Sequence, residues 1–182
     1  GRKINAPGAA VNWLKDTGAV GVSGSLTTYY NDIKTGVAEG VIVFPTAAAA
    51  AKLHEVAPYV TKVHFGAQYA GGIVAKKSWY DEQSPEVQAA LQAGAHAFAR
   101  SYEANLTLRV TKAFTEFETG NAHVTELSED VRKEWANKLP NLAQDWAAEQ
   151  DAKGLEGTHV LEAYVTHLKE AGVHMPRDWS AK

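Results

Sequence analysis

Ser25-Leu26-Thr27-Thr28-Tyr29-Tyr30-Asn31-Asp32-Ile33-Lys34-Thr35-Gly36-Val37-Ala38-Glu39-Gly40-Val41-Ile42-Val43-Phe44-Pro45 is the stretch on which the fold turns. Ser25 reads as the N-cap of a helix over 26–35, closed by Gly36. Val41 to Phe44 is an unbroken apolar run, the pattern of a strand buried on both faces. Pro45-Thr46 then opens an alanine-rich helix expected to run to about Val56. Working outward, residues 2–6 read as a strand stopped by Pro7-Gly8, 9–17 as a helix stopped by Gly18, and 19–22 as a second strand. Residues 60–65 and 71–75 read as two more. Strand and helix alternating at this pitch predict βαβ units, an α/β fold with a mostly parallel sheet.

The second half reads differently. Ser84-Pro85-Glu86 is a strong helix start, and only Gly94 interrupts the helical pattern over 85–118. Such a helix is roughly 50 Å long, about three times the usual length, and is expected to bridge something. Gly120 ends it and residues 122–127 alternate as a strand. Ser128 caps another helix, broken near Pro140, and the rest to about 171 is helical apart from 154–157.

Composition bounds the function. The chain has 182 residues, enough for one domain or one with an appendage. With 45% hydrophobic and 21% charged residues it is neither disordered nor collagenous. Zero cysteines exclude disulfides, thiolate metal sites and cysteine nucleophiles. A net charge of −3 argues against a nucleic-acid partner, and no apolar run reaches the length of a membrane span. The chain opens Gly1-Arg2-Lys3-Ile4 without an initiator methionine or signal peptide, which reads as an internal start. Residues 1–80 carry a balance of +4 and ten of the 15 glycines, and residues 81–182 a balance of −7. The expected division is therefore an α/β ligand-binding portion over 1–80, followed over 81–182 by the long helix, a short strand and a helical segment.

Catalytic patterns are weak. The seven histidines, at 54, 64, 96, 123, 159, 167 and 174, form no i,i+4 pair, so no metal site is expected. Gly18 to Gly24 lacks the phosphate-loop pattern, and Val22-Ser23-Gly24-Ser25 misses the nucleophile elbow. The Asn105-Leu106-Thr107 sequon falls inside the long helix. Amides and aromatics at strand ends are more informative: Asn5, Asn12, Trp13, Ser25, Phe44, Gln68 and Tyr69 lie where open α/β sheets bind ligands.

The order of motifs also resembles a known family. Gly1 to Gly8 is followed by Trp13-Leu14-Lys15 and Thr17-Gly18-Ala19. Then come the Leu26 to Gly40 segment, Ser84-Pro85-Glu86-Val87-Gln88-Ala89-Ala90 and Val124-Thr125-Glu126-Leu127-Ser128. This series resembles the C-terminal part of the DctP-like solute-binding proteins of TRAP transporters. The resemblance implies the second domain of a type II-like periplasmic binding protein fold, with a long spanning helix and C-terminal helices. It implies hinge closure over a small organic solute, delivery to membrane permease subunits in the periplasm, no chemistry on the solute and no cofactor.

It also implies ligand positions near Asn5, where the family usually has an arginine, and near Leu26, Val43 and Gln68. Together with Trp13, Ser25, Phe44 and Tyr69 these make the expected site. An amide in place of a guanidinium removes the charged fork that suits a carboxylate. A hydroxylated, aromatic or cationic solute therefore fits as well as a dicarboxylate. The alternatives are an α/β small-molecule enzyme or stand-alone sensor using the same cleft, and an interaction module. Surface bared on the long helix would allow a dimer.

Overall fold

The computed structural model describes residues 1–64 and 73–181. Three strands, β1 (Lys3–Asn5), β2 (Val20–Val22) and β3 (Gly40–Val41), form a parallel sheet in the order β2-β1-β3. A 3-10 helix over Gly8–Leu14 connects β1 to β2, and α1 (Tyr29–Lys34) connects β2 to β3. These are the expected crossovers, with Gly18 (φ +80°) and Gly36 (φ +76°) supplying the left-handed stops.

Local boundaries moved for identifiable reasons. The first connector is 3-10, and Asp16 at φ +57° ends the turn before residue 17. Ser25 does not cap with its side chain, because its Oγ pairs with Thr27 Oγ1 at 2.7 Å. Its carbonyl instead accepts from the Thr28 and Tyr29 amides, which makes 26–28 a turn and starts α1 three residues late. The apolar run 41–44 leaves the sheet early. Ile42 N still donates to Asn5 O at 2.8 Å, but Phe44 is the extended residue ahead of Pro45 at the start of α2 (Pro45–Ala50). Lys52 at φ +53° breaks the expected continuation to Val56, leaving a 3-10 turn over Leu53–Glu55.

A second parallel pair joins β4 (Tyr59–Lys62) to β5 (His123–Glu126), linking residues on both sides of position 80. The strand expected over 71–75 is not formed by 73–75, and Gly71 and Gly72 lie outside the described residues. A short helix, α3 (Lys77–Asp81), follows.

Helix α4 (Pro85–Thr119) has 35 residues and runs through Gly94 without a break. Ser84 Oγ accepts from Val87 N at 3.4 Å, as its sequence position predicted. Only its C-terminal portion is buried. Ala113 and Phe117 pack against Ala49 of α2, with Val60 and Val124 beside them. Val87, Leu91, Phe98, Tyr102 and Leu106, spaced to fall near one side of the helix, remain exposed.

Ser128 caps α5 (Glu129–Lys138) through Val131 N, and Asn141 caps α6 (Leu142–Asp151) through Gln144 N. Helices α6 and α7 (Gly157–Glu170) pair over Ala147, Leu161 and Val165. The tail returns to α5, where Arg177 donates to the carbonyls of Ala136 and Leu139 and so satisfies the end of that helix. No described helix is long and apolar enough to cross a membrane.

Candidate functional site

The carboxyl ends of β2, β1 and β3 share one edge, because all three strands are parallel. That edge carries Asn5 at the end of β1, Ser25 and Leu26 just beyond β2, and Val43 and Phe44 just beyond β3. Leu26 (43% exposed) and Phe44 (39%) are open to solvent, while Val43 is half-buried. Their exposure is a matter of chain direction: each lies where the backbone leaves the sheet and no neighbouring strand covers it.

Asn5 is fully buried. Its Nδ2 donates to Asp32 Oδ2 at 3.2 Å, and the same oxygen accepts from Thr28 Oγ1 at 2.9 Å. Tyr29 OH donates to Gly24 O at 3.2 Å. Burial, and after it the charge of Asp32, holds the Tyr29 phenol above its ordinary pKa. Asn5 Oδ1 has no hydrogen-bond partner among the described residues. Sequence reading singled out Asn5 and not Asp32, Thr28 or Tyr29. The usable signal was Thr28 and Asp32 at i,i+4, a spacing that puts both side chains on one side of a helical turn.

Trp13 is placed otherwise than at this edge. It packs half-buried against Ala6, Ala10 and Leu14, and its carbonyl accepts from Trp135 Nε1. Asn12, beside it, is also half-buried. Gln68 and Tyr69 lie outside the described residues. Among the described residues, surface cavities lie elsewhere. One of about 340 Å³ lies between α5 and the tail, lined by Glu129, Lys133, His174 and Arg177. One of about 190 Å³ lies between α2 and α4. Among the described residues no group of three or more His, Cys, Asp or Glu could hold a metal.

Residues 1–150 match the family model of bacterial extracellular solute-binding protein, family 7 (DctP). No curated protein matches the chain. Solved structures of the same fold include the ectoine-binding protein TeaA of the TeaABC TRAP transporter in its apo state. It has a TM-score of 0.76 and 18% identity, over 93% of this chain and 55% of that one. A TRAP periplasmic solute-binding protein from Sulfitobacter sp. NAS-14.1 with bound β-D-galacturonate has a TM-score of 0.69 and 16% identity, over 84% of this chain and 50% of that one. A marine-metagenome TRAP solute-binding protein specific for aromatic acids, bound to metahydroxyphenylacetate, has a TM-score of 0.68 and 19% identity, over 87% and 52%. The chain thus spans about half the length of these structures. Nothing in these likenesses supports the dimer expected from the sequence.

Proposed function

The chain belongs to family 7 of the bacterial extracellular solute-binding proteins, and from that premise we propose that it forms one lobe of a periplasmic TRAP receptor. The receptor captures a small organic solute between two lobes and delivers it to membrane permease subunits. Capture is closure about a hinge, stabilised by contacts made only when both lobes grip the solute. No covalent step is involved.

The observation that carries this reading is the shared carboxyl edge, where Asn5, Ser25, Leu26, Val43 and Phe44 fall together on a parallel sheet. Residues 1–80 supply that wall, and Gln68 and Tyr69 complete the proposed set. Within 81–182 the C-terminal portion of α4 packs on α2, and its first half extends toward the second lobe. The apolar residues on its first half, Phe98 and Tyr102 among them, are the surface that lobe covers.

Three neighbours are named for different solutes: a uronate, ectoine and an aromatic acid. The solute here is an amphipathic one, because the exposed side chains at this edge include the apolar Leu26 and Phe44 as well as the hydroxyl-bearing Ser25. Thermal melting of the two-lobed protein against sugar acids, aromatic acids, amines and zwitterions tests the reading. A ligand at a hundredfold excess over its Kd stabilises by about 2.7 kcal/mol. At least one such shift is expected, and none across the panel would overturn the solute-binding role. A sub-micromolar dicarboxylate would overturn the amphipathic class alone.

A further inference from the structure

The cavity of about 340 Å³ between α5 and the tail has two walls. Glu129, Lys133 and Asn137, spaced four apart, form a row along α5. Residues 174–178 of the tail stand opposite. The tail wall is held in place: Arg177 Nη1 donates to Ala136 O at 3.1 Å and to Leu139 O at 2.6 Å, and the guanidinium stacks over Trp179. Met175 packs against the Ala147, Leu161 and Val165 cluster and, with Pro176, gives the cavity an apolar side. The volume lies within the range of small-molecule sites. No residue of the parallel-sheet edge lines it.

Charge decides what fits there. Both cavity carboxylates are already matched. Glu129 Oε1 lies 2.7 Å from His174 Nε2 and 3.6 Å from Arg132 Nη2. Asp178 accepts from Lys169 Nζ at 2.8 Å and from Ser180 Oγ at 2.6 Å. The donors are not matched. Among the described residues, Lys133 and Asn137 form no hydrogen bond or ion pair, and Nε and Nη2 of Arg177 donate to no acceptor. The carbonyls that hold Arg177 Nη1 leave its charge uncompensated. Two cations and an amide therefore line one space, and a carboxylate is the group that complements them. We propose that this cavity is a second ligand site, which takes a small organic acid with its carboxylate between Lys133 and Arg177 and its apolar body on Met175 and Pro176. The site is separate from the sheet edge, and its tail wall lies beyond residues 1–150, the part of the chain that the family model matches.

The test titrates the two-lobed protein with phenylacetate, its amine counterpart phenylethylamine, and inorganic phosphate. The readout is Trp179 fluorescence, taken as the difference from Trp179→Phe, because that ring lies against a residue of the cavity wall. A saturable change is expected with phenylacetate, none with phenylethylamine and a weaker one with phosphate. Affinity for phenylacetate should fall about tenfold in Lys133→Gln and be kept in Lys133→Arg. Lys133 is exposed, so neither change disturbs a packed contact. No saturable change with phenylacetate, an equal response to phenylethylamine, or unchanged affinity in Lys133→Gln would each overturn the proposal. Phosphate binding as tightly as phenylacetate would overturn the organic-acid class. The solute-binding role of the sheet edge stands apart from all of these outcomes, since Lys133 and Trp179 are not part of it.

Discussion

Trp135 donates its indole Nε1–H to the carbonyl of Trp13 at 2.8 Å, across 122 residues of chain. The bond ties α5 to the connector behind the parallel sheet, and the Trp135 ring lies against the Ala6, Ala10 and Leu14 cluster. One side chain thus joins the front of the sequence to its helical back.

Trp135→Phe should keep most of the ring packing and lose the bond, costing about 1 kcal/mol. Trp135→Ala should cost about 3 kcal/mol, because half-buried ring contact goes as well. Urea unfolding of both variants checks the order. Equal losses would show that the bond and not the packing dominates.

Phe117 is 1% exposed and Phe98 is 53% exposed on the same helix. Phe117→Ala should destabilise this chain by about 3–5 kcal/mol, and Phe98→Ala by less than about 0.5 kcal/mol. In the two-lobed protein, Phe98→Ala should become costly, since the proposed second lobe covers that surface. Thermal unfolding of both forms measures the difference.

Gly157 and Gly94 make opposite predictions. A Cβ on Gly157 would collide with Ala147 O and stand 2.7 Å from Gln150 Cβ, where α6 and α7 touch. Backbone cannot yield as a side chain can, so Gly157→Ala should cost about 1–3 kcal/mol. Gly94 lies inside α4 with nothing within 4 Å of its absent Cβ. Gly94→Ala should therefore stabilise by up to about 1 kcal/mol. Circular-dichroism melts of the two variants should shift in opposite directions.

The tail should be sensitive to acid in a defined direction. The Lys169 ammonium, and after it Ser180, hold the Asp178 carboxyl far below the usual carboxylate range. A depressed folded value means the attachment is fully present above the ordinary value of 3.8 and is lost as pH falls well below it. Arg177 stacks over the Trp179 ring at 4.7 Å, so Trp179 reports on the tail. Its fluorescence, taken as the difference from Trp179→Phe, should hold steady from neutral pH to about 4 and change only below. Asp178→Asn should change it at neutral pH. The group is exposed, so the global melting point should move little.

What the sequence determined by itself was whatever is decided within a few residues. Ser84-Pro85 and Ser128 set helix starts, Gly18 and Gly36 set stops, and an uninterrupted pattern produced the 35-residue α4. The parallel sheet followed from the alternation of those same short elements, and the motif order was enough to place the family. At the site, the strand ends could be found because chain direction in a parallel sheet dictates which ends meet. Tertiary structure decided the rest. Ser25 lost its capping role to a hydroxyl pair with Thr27, and Lys52 turned left-handed where alanines favoured more helix. Trp13 became a packing residue once α5 returned to it. Asn5 met Asp32 only because α1 folds back over β1, bringing together side chains 27 residues apart. Caps and turns depend on neighbouring backbone groups, so local sequence specifies them. Which carboxylate stands beside which amide depends on how separate elements close on one another, and no local pattern encodes that distance.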